Sequence, residues 1–221
     1  MILDVLKQRT RPQHESIERN LDLLDGTTTL TQYRALLGAF YGFYAPLEAR
    51  IANTIAATQL DFDYEPRRKT PNLHADLSAL GLDSAQIARL PLCANLPDVS
   101  NAARVFGYLY VAEGSTLGGQ IISRHFAQAL GVSMENDGAF FQAHGAQTGA
   151  MWREFQYSIE RFAQGETQFG RIGESVAHET AVSEITTDET TENEIVAAAC
   201  ETFSCLETWL KTTLVKIEVI S

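Results

Sequence analysis

A chain of 221 residues with 45% hydrophobic and 20% charged side chains is long enough for one substantial core, and is not a disordered or low-complexity segment. A net charge of −11 excludes a surface that is basic overall, so no nucleic-acid partner is expected. Cys93, Cys200 and Cys205 have no CxxC spacing, no apolar run approaches the roughly 20 residues of a membrane span, and Met1-Ile2-Leu3-Asp4 does not open a signal peptide, so a cytoplasmic protein with reduced thiols and no membrane association is expected.

Apolar residues recur at three- and four-residue steps and no sustained alternation is bounded by hairpin turns, which predicts an all-α fold, a single-domain multi-helix bundle over 1–221. The first helix is expected from about Leu3 to Asn20 with Pro12 inside it. Thr10 and Gln13 form a capping pair, predicting a restart with Pro12 in the first turn and His14 near a helix start. The second begins near Thr31, after Asp25-Gly26-Thr27-Thr28, and its stripe of Tyr33, Leu36, Leu37, Phe40, Tyr44 and Leu47 has helical spacing. Pro46 is expected to bend or interrupt it, and Gly38 with Gly42 reads as close helix packing.

Pro66 and Pro71 bracket a basic loop, Arg67-Arg68-Lys69, and short helices are expected from Asn72 to Leu80 and Ser84 to Leu90. A long helix then runs from about Asn101 to Leu130 and stops at Gly131, a C-cap. Further helices are expected from Gln147 to Ala163 and from Thr191 to Leu214, joined by a variable acidic connection at about 171–191. No Lys or Arg occurs between Arg171 and Lys211, and the acidic residues there read as a solvated face.

One stretch of the long helix is out of keeping with the rest. Glu113-Gly114-Ser115-Thr116-Leu117-Gly118-Gly119-Gln120 places three glycines in six residues between apolar turns, although each glycine costs about 1 kcal/mol against alanine in a helix interior. Such positions let another group approach the backbone or let the helix bend, so a glycine-kinked helix against a second helix or a ligand is expected. Of the five histidines, His14 alone has a carboxylate one turn ahead, Glu18, able to accept a proton from the ring nitrogen that does not face a metal. Imidazole is a common ligand of transition metals and of haem iron. Taken separately, each feature is more often explained otherwise, the histidine as a surface residue and the glycines as a plain helix crossing.

Together they resemble the haem oxygenases, particularly the bacterial branch found alongside bacteriophytochromes. His14-Glu15-Ser16-Ile17-Glu18 matches that family's early His-x-x-x-Glu helix, and Tyr108 through Gln120 matches its distal helix, whose glycine pair covers haem. The similarity runs from Leu6 to about Phe162 and is joined by Thr202-Phe203 and Trp209-Leu210. The resemblance implies that His14 is the proximal iron ligand, partnered by Glu18, and that Gly114, Ser115, Gly118 and Gly119 form the distal, catalytic turn. Lys7 and Arg153 match propionate-binding positions, with Arg9 or Arg11 in place of Lys7 if Pro12 shifts the register. The implied activity is oxidative opening of haem, both substrate and cofactor, to biliverdin, carbon monoxide and ferrous iron with dioxygen. Electrons are expected from a separate ferredoxin or reductase, since the chain has no dinucleotide fingerprint and no iron–sulfur spacing, and a bacteriophytochrome is the implied biliverdin acceptor.

Two features depart from the family pattern. Ser115 stands where many haem oxygenases carry an aspartate that orders water for proton delivery, and a hydroxyl holds water without supplying a carboxylate's charge. The acidic segment from Gly173 to Glu194 is longer than the resemblance leads one to expect. Ser115 leaves open a non-catalytic haem or bilin carrier on the same scaffold. A thiaminase-like hydrolase would instead need Cys93, Cys200 or Cys205 as an activated nucleophile.

Overall fold

The computed structural model describes residues 1–21, 28–131, 138–166 and 189–218, so most of the acidic connection lies outside the described residues. Helix α1 (Ile2–Leu21) passes through Pro12 without a break. The expected restart does not occur, because Thr10 Oγ1 donates to the Leu6 carbonyl at 2.8 Å, one turn back, and caps nothing. Pro12 and Gln8 are both exposed, so water can satisfy the Gln8 carbonyl that the proline leaves without its helical partner.

Helix α2 (Leu30–Thr58) opens on a Thr29–Gln32 capping box and continues through Pro46. The expected interruption is absent for a specific reason. The carbonyl that Pro46 cannot serve, that of Gly42, accepts the Cys93 N–H at 2.9 Å. Gly42 makes this approach possible, since a Cβ there would collide with the Pro91 carbonyl oxygen and lie 2.9 Å from the Trp209 ring. Gly38, by contrast, is in ordinary contact distance of Leu90.

A 3-10 turn (Glu65–Arg67) leads into α3 (Thr70–Ala79), where Pro71 sits in the first turn, and α4 (Ser84–Ile87) follows. Helix α5 (Ala102–Leu130) is capped by the Asn101 side chain and ends at Gly131 with φ +69°. It is helical through all three glycines, none of which has a positive φ. Then come α6 (Ala139–Gln142), a second 3-10 turn (Gly145–Gln147), α7 (Thr148–Ala163) and α8 (Glu189–Glu218). No strand occurs among the described residues.

The principal crossing is α5 on α8. It pivots at Gly107, where a Cβ would collide with the Ile195 carbonyl oxygen and lie 2.6 Å from the Ala198 Cβ. Helix α1 lies on α8 and α7, and α2 is packed by α3, α8 and α5. Phe43, Phe106, Phe126, Phe155 and Leu37 fill the interior between them. Asp76 of α3 accepts from the Ala139 and Phe140 N–H groups at 2.9 and 2.8 Å, which fixes the start of α6 beneath α5. No helix among the described residues is long and apolar enough to cross a membrane.

Candidate functional site

His14 is exposed on α1, its Nδ1 3.4 Å from Glu18 Oε2. Its ring stands edge-on to Phe203 of α8, with centroids 5.8 Å apart. Because α1 is unbroken, Lys7 keeps its register with His14, two turns and roughly 10 Å away on the same face. Lys7 and Arg9 are exposed, whereas Arg11 is engaged by Glu15 at 2.7 Å. One turn before His14, the buried Thr10 lies close to the Tyr110 hydroxyl of α5, which itself lies one turn before Gly114. The His14 face of α1 and the glycine face of α5 thus approach one another at corresponding turns.

On α5, Gly114, Leu117, Gly118 and Ile121 fall at i, i+3, i+4 and i+7, a single stripe. A Cβ on Gly118 would meet no heavy atom within 4 Å, and one on Gly114 would only graze the Trp152 ring at 3.9 Å. Leu117 and Ile121, at 45% and 56% exposure, flank this bare backbone. An apolar strip with no side chain at its centre suits a flat apolar partner. Gly119 points elsewhere: its Cβ would lie 2.5 Å from the Phe141 carbonyl oxygen, so the residue serves the packing of α6. Ser115 is exposed, and its hydroxyl donates to the Ala112 carbonyl at 2.9 Å. Arg153 is exposed on α7, with its guanidinium near Gly149, beside Trp152.

Sequence reasoning missed what lies behind this face. Glu113 is 1% exposed and paired with Arg67 at 2.7 Å, Lys69 at 3.0 Å and His144 at 3.3 Å. Burial works to raise its carboxyl, but the His144 hydrogen bond and the charges of Lys69 and Arg67 outweigh it and hold the group at about 2. Arg67 reaches on to Glu154 at 3.0 Å and the Met151 carbonyl at 3.2 Å, locking α7 to α5. Buried Glu48 accepts from the Lys69 and Thr70 N–H groups and from Arg68, anchoring the same loop to α2. Beside this network a cavity of about 260 Å³ is lined by Arg68, Lys69, Asn72, Phe140 and His144 among others. A signal was present in the sequence. A lone carboxylate following the apolar run from Val105 to Ala112 needs a buried cation, and Arg67-Arg68-Lys69 was the available source.

The three cysteines are free, and burial pushes each thiol up, away from the thiolate a nucleophile requires. Among the described residues, no cluster of three or more His, Cys, Asp or Glu side chains could hold a metal ion.

Residues 2–178 match the sequence model of the family described as Heme oxygenase. No curated protein sequence matches the chain. Among solved structures, heme oxygenase-1 of the cyanobacterium Synechocystis in complex with heme is similar with a TM-score of 0.71 at 17% identity, over 99% of this chain and 96% of that one. The heme oxygenase of Leptospira interrogans gives 0.69 at 15% identity, covering 96% and 98%. The NO- and CO-bound heme oxygenase of Neisseria meningitidis gives 0.59 at 19%, covering 97% and 92%. At these identities the structural likeness establishes the fold alone.

Proposed function

This chain belongs to the haem oxygenase family, and from that premise we propose that it holds haem between α1 and α5, with His14 on the iron and the Gly114–Gly118 face over the opposite side of the ring. Members of the family degrade haem to biliverdin, with haem as both substrate and cofactor. The observation that carries this placement is the bare, apolar-flanked stripe of α5, whose neighbouring turn brings Tyr110 close to Thr10, one turn from His14.

The donors present fit haem. Glu18 beside Nδ1 accepts that proton and selects the tautomer whose Nε2 lone pair is free for iron. Gly118 leaves room on the opposite side for dioxygen, which a larger side chain would occupy, and Leu117 and Ile121 keep water from the ring edge. Lys7, in register with His14, and Arg153 are the cations we assign to the two propionates. Arg11 is the weaker choice, because Glu15 already holds it. When bound, haem supplies the redox centre at which dioxygen is activated. The electrons we assign to a separate ferredoxin or reductase, the biliverdin to a bacteriophytochrome and the setting to the cytoplasm, all on the sequence resemblance.

Haemin titrated into the purified protein should give a Soret shift, and ascorbate or a ferredoxin system with oxygen should convert the complex to biliverdin. Absence of the shift overturns the placement. A stable complex that never turns over would favour the carrier reading.

A further inference from the structure

Helix α8 turns two opposite faces to its neighbours, and a cysteine sits on each. Toward α1 look Cys200, Phe203 and Glu207: the Cys200 thiol donates to the Arg9 carbonyl at 3.8 Å, Phe203 stands on His14, and Glu207 accepts from Ser16 at 2.8 Å. Glu201, Cys205 and Trp209 follow one another at i, i+4 and i+8 on the other side. Glu201 accepts from the Asp98 N–H at 3.2 Å, and the Trp209 ring abuts Gly42, whose carbonyl receives the Cys93 N–H at 2.9 Å. The irregular segment 91–99 therefore runs along this second face from one end of the stripe to the other. Cys205 lies between the two anchors, one turn or about 6 Å along the axis from each, and it faces the segment that carries Cys93. We infer that Cys93 and Cys205 form a redox modification site, a dithiol that a low-molecular-weight disulfide converts into a bond joining α8 to the segment 91–99.

The segment is held from several directions, so the two thiols are kept together in the fold. Thr54 donates to the Val99 carbonyl at 2.7 Å, and Arg104 bonds the Asp98 carbonyl at 3.0 Å while pairing with Glu201. The Cys93 thiol is buried and donates to the Asn95 carbonyl at 3.5 Å, whereas Cys205 is half-buried and is the sulfur an outside reagent reaches first. Burial raises both thiols, and Glu201 and Cys93 push Cys205 further the same way, so the pair reacts slowly and rests in the reduced form. In the first step Cys205 loses its proton to solvent and its sulfur attacks the small disulfide. A mixed disulfide forms, and one small thiolate leaves and takes up a proton. In the second, the deprotonated Cys93 sulfur attacks the Cys205 sulfur, the mixed bond breaks, and a second small thiol is released. Two protein thiols are thereby oxidised and one small disulfide is reduced to two thiols. Cys200 stays out of the exchange because its side chain points to the opposite face of the helix. Closing the bond fastens α8 to α2 through the Gly42 contact, on the side away from Phe203 and His14.

The test treats the purified, haem-free protein with excess oxidised glutathione and quenches it in acid. Thiols are then counted after denaturation, and a proteolytic digest is read by mass spectrometry. The three free thiols should fall to one, with the Cys93 and Cys205 peptides joined and no glutathione retained. Cys93→Ser should stop at a glutathione adduct on Cys205, and Cys200→Ser should pair as the wild type does. The bridged protein should melt roughly 5 °C or more above the reduced form, because the bond closes a long loop, and dithiothreitol should reverse the gain. The same treatment in urea should lose the preference for this pair. A wild type that keeps three thiols, that retains glutathione on Cys205 as Cys93→Ser does, or that joins Cys200 to either of the others overturns the inference. So does a bridge that lowers the melting temperature, since the fold would then not present the two sulfurs at bonding distance. No step requires haem, so the result stands or falls independently of the haem oxygenase reading.

Discussion

Replacing Gly118 with alanine puts a methyl group in the middle of α5 where no heavy atom lies within 4 Å. Helix propensity alone then favours the variant by about 1 kcal/mol, which for a chain of this size raises the haem-free melting temperature by about 2–4 °C. Gly119→Ala gains the same propensity but sets its Cβ 2.5 Å from the Phe141 carbonyl oxygen, in a segment that Asp76 holds in place. Overpacking of this kind costs about 1–3 kcal/mol, so the second variant should melt several degrees below the first. Gly118→Leu keeps the haem-free fold and fills the open face, so it should bind haem poorly or turn it over slowly. Thermal unfolding by circular dichroism, haemin titration and biliverdin yield measure the three quantities. Equal melting temperatures for the two alanine variants, or full turnover by Gly118→Leu, would show that the two faces of α5 have been read wrongly.

His14→Ala should abolish the imidazole-ligated spectrum of the ferric complex, and an unchanged spectrum would assign the iron to another residue. Gly107→Ala forces α5 away from the Ile195 carbonyl and the Ala198 methyl and should lower the urea midpoint with m unchanged; wild-type stability would refute the close crossing. Glu113 titrates at about 2 in the fold against an ordinary 4.5, so its contribution is fully present above about pH 4.5 and disappears as pH falls through 2. Glu113→Gln should therefore be less stable at pH 7 and lose stability less steeply across that acid interval, and identical slopes would contradict the ion-pair account.

Where local chemistry decides structure, the sequence was readable. Asn101 and Gly131 mark the ends of α5 because a side-chain acceptor and an αL glycine are local devices, and α7 ends at Ala163 as its periodicity indicates. Pro12 and Pro46 misled for a reason that lies outside their own helices. One freed carbonyl faces solvent and the other is met by Cys93, nearly fifty residues away in sequence. At the site, the His14–Glu18 pair was legible as an i,i+4 contact. The division of labour between Gly118 and Gly119 was not, since adjacent residues on a helix face different neighbours and only the position of Phe141 tells them apart. The Glu113 network was hidden for the same reason: its members come from four separated segments.

The strip formed by Gly118, Leu117 and Ile121 also has a meaning for the chain before any ligand arrives. Empty, it is an adhesive patch, and two copies can lower their exposure to water by pressing these strips together. What keeps them apart is long-range repulsion, since every copy carries eleven negative charges in excess. Salt shortens that repulsion without weakening the stickiness, so haem-free protein is safest in dilute, low-salt solution, and haem seated on the strip as proposed would cap self-association.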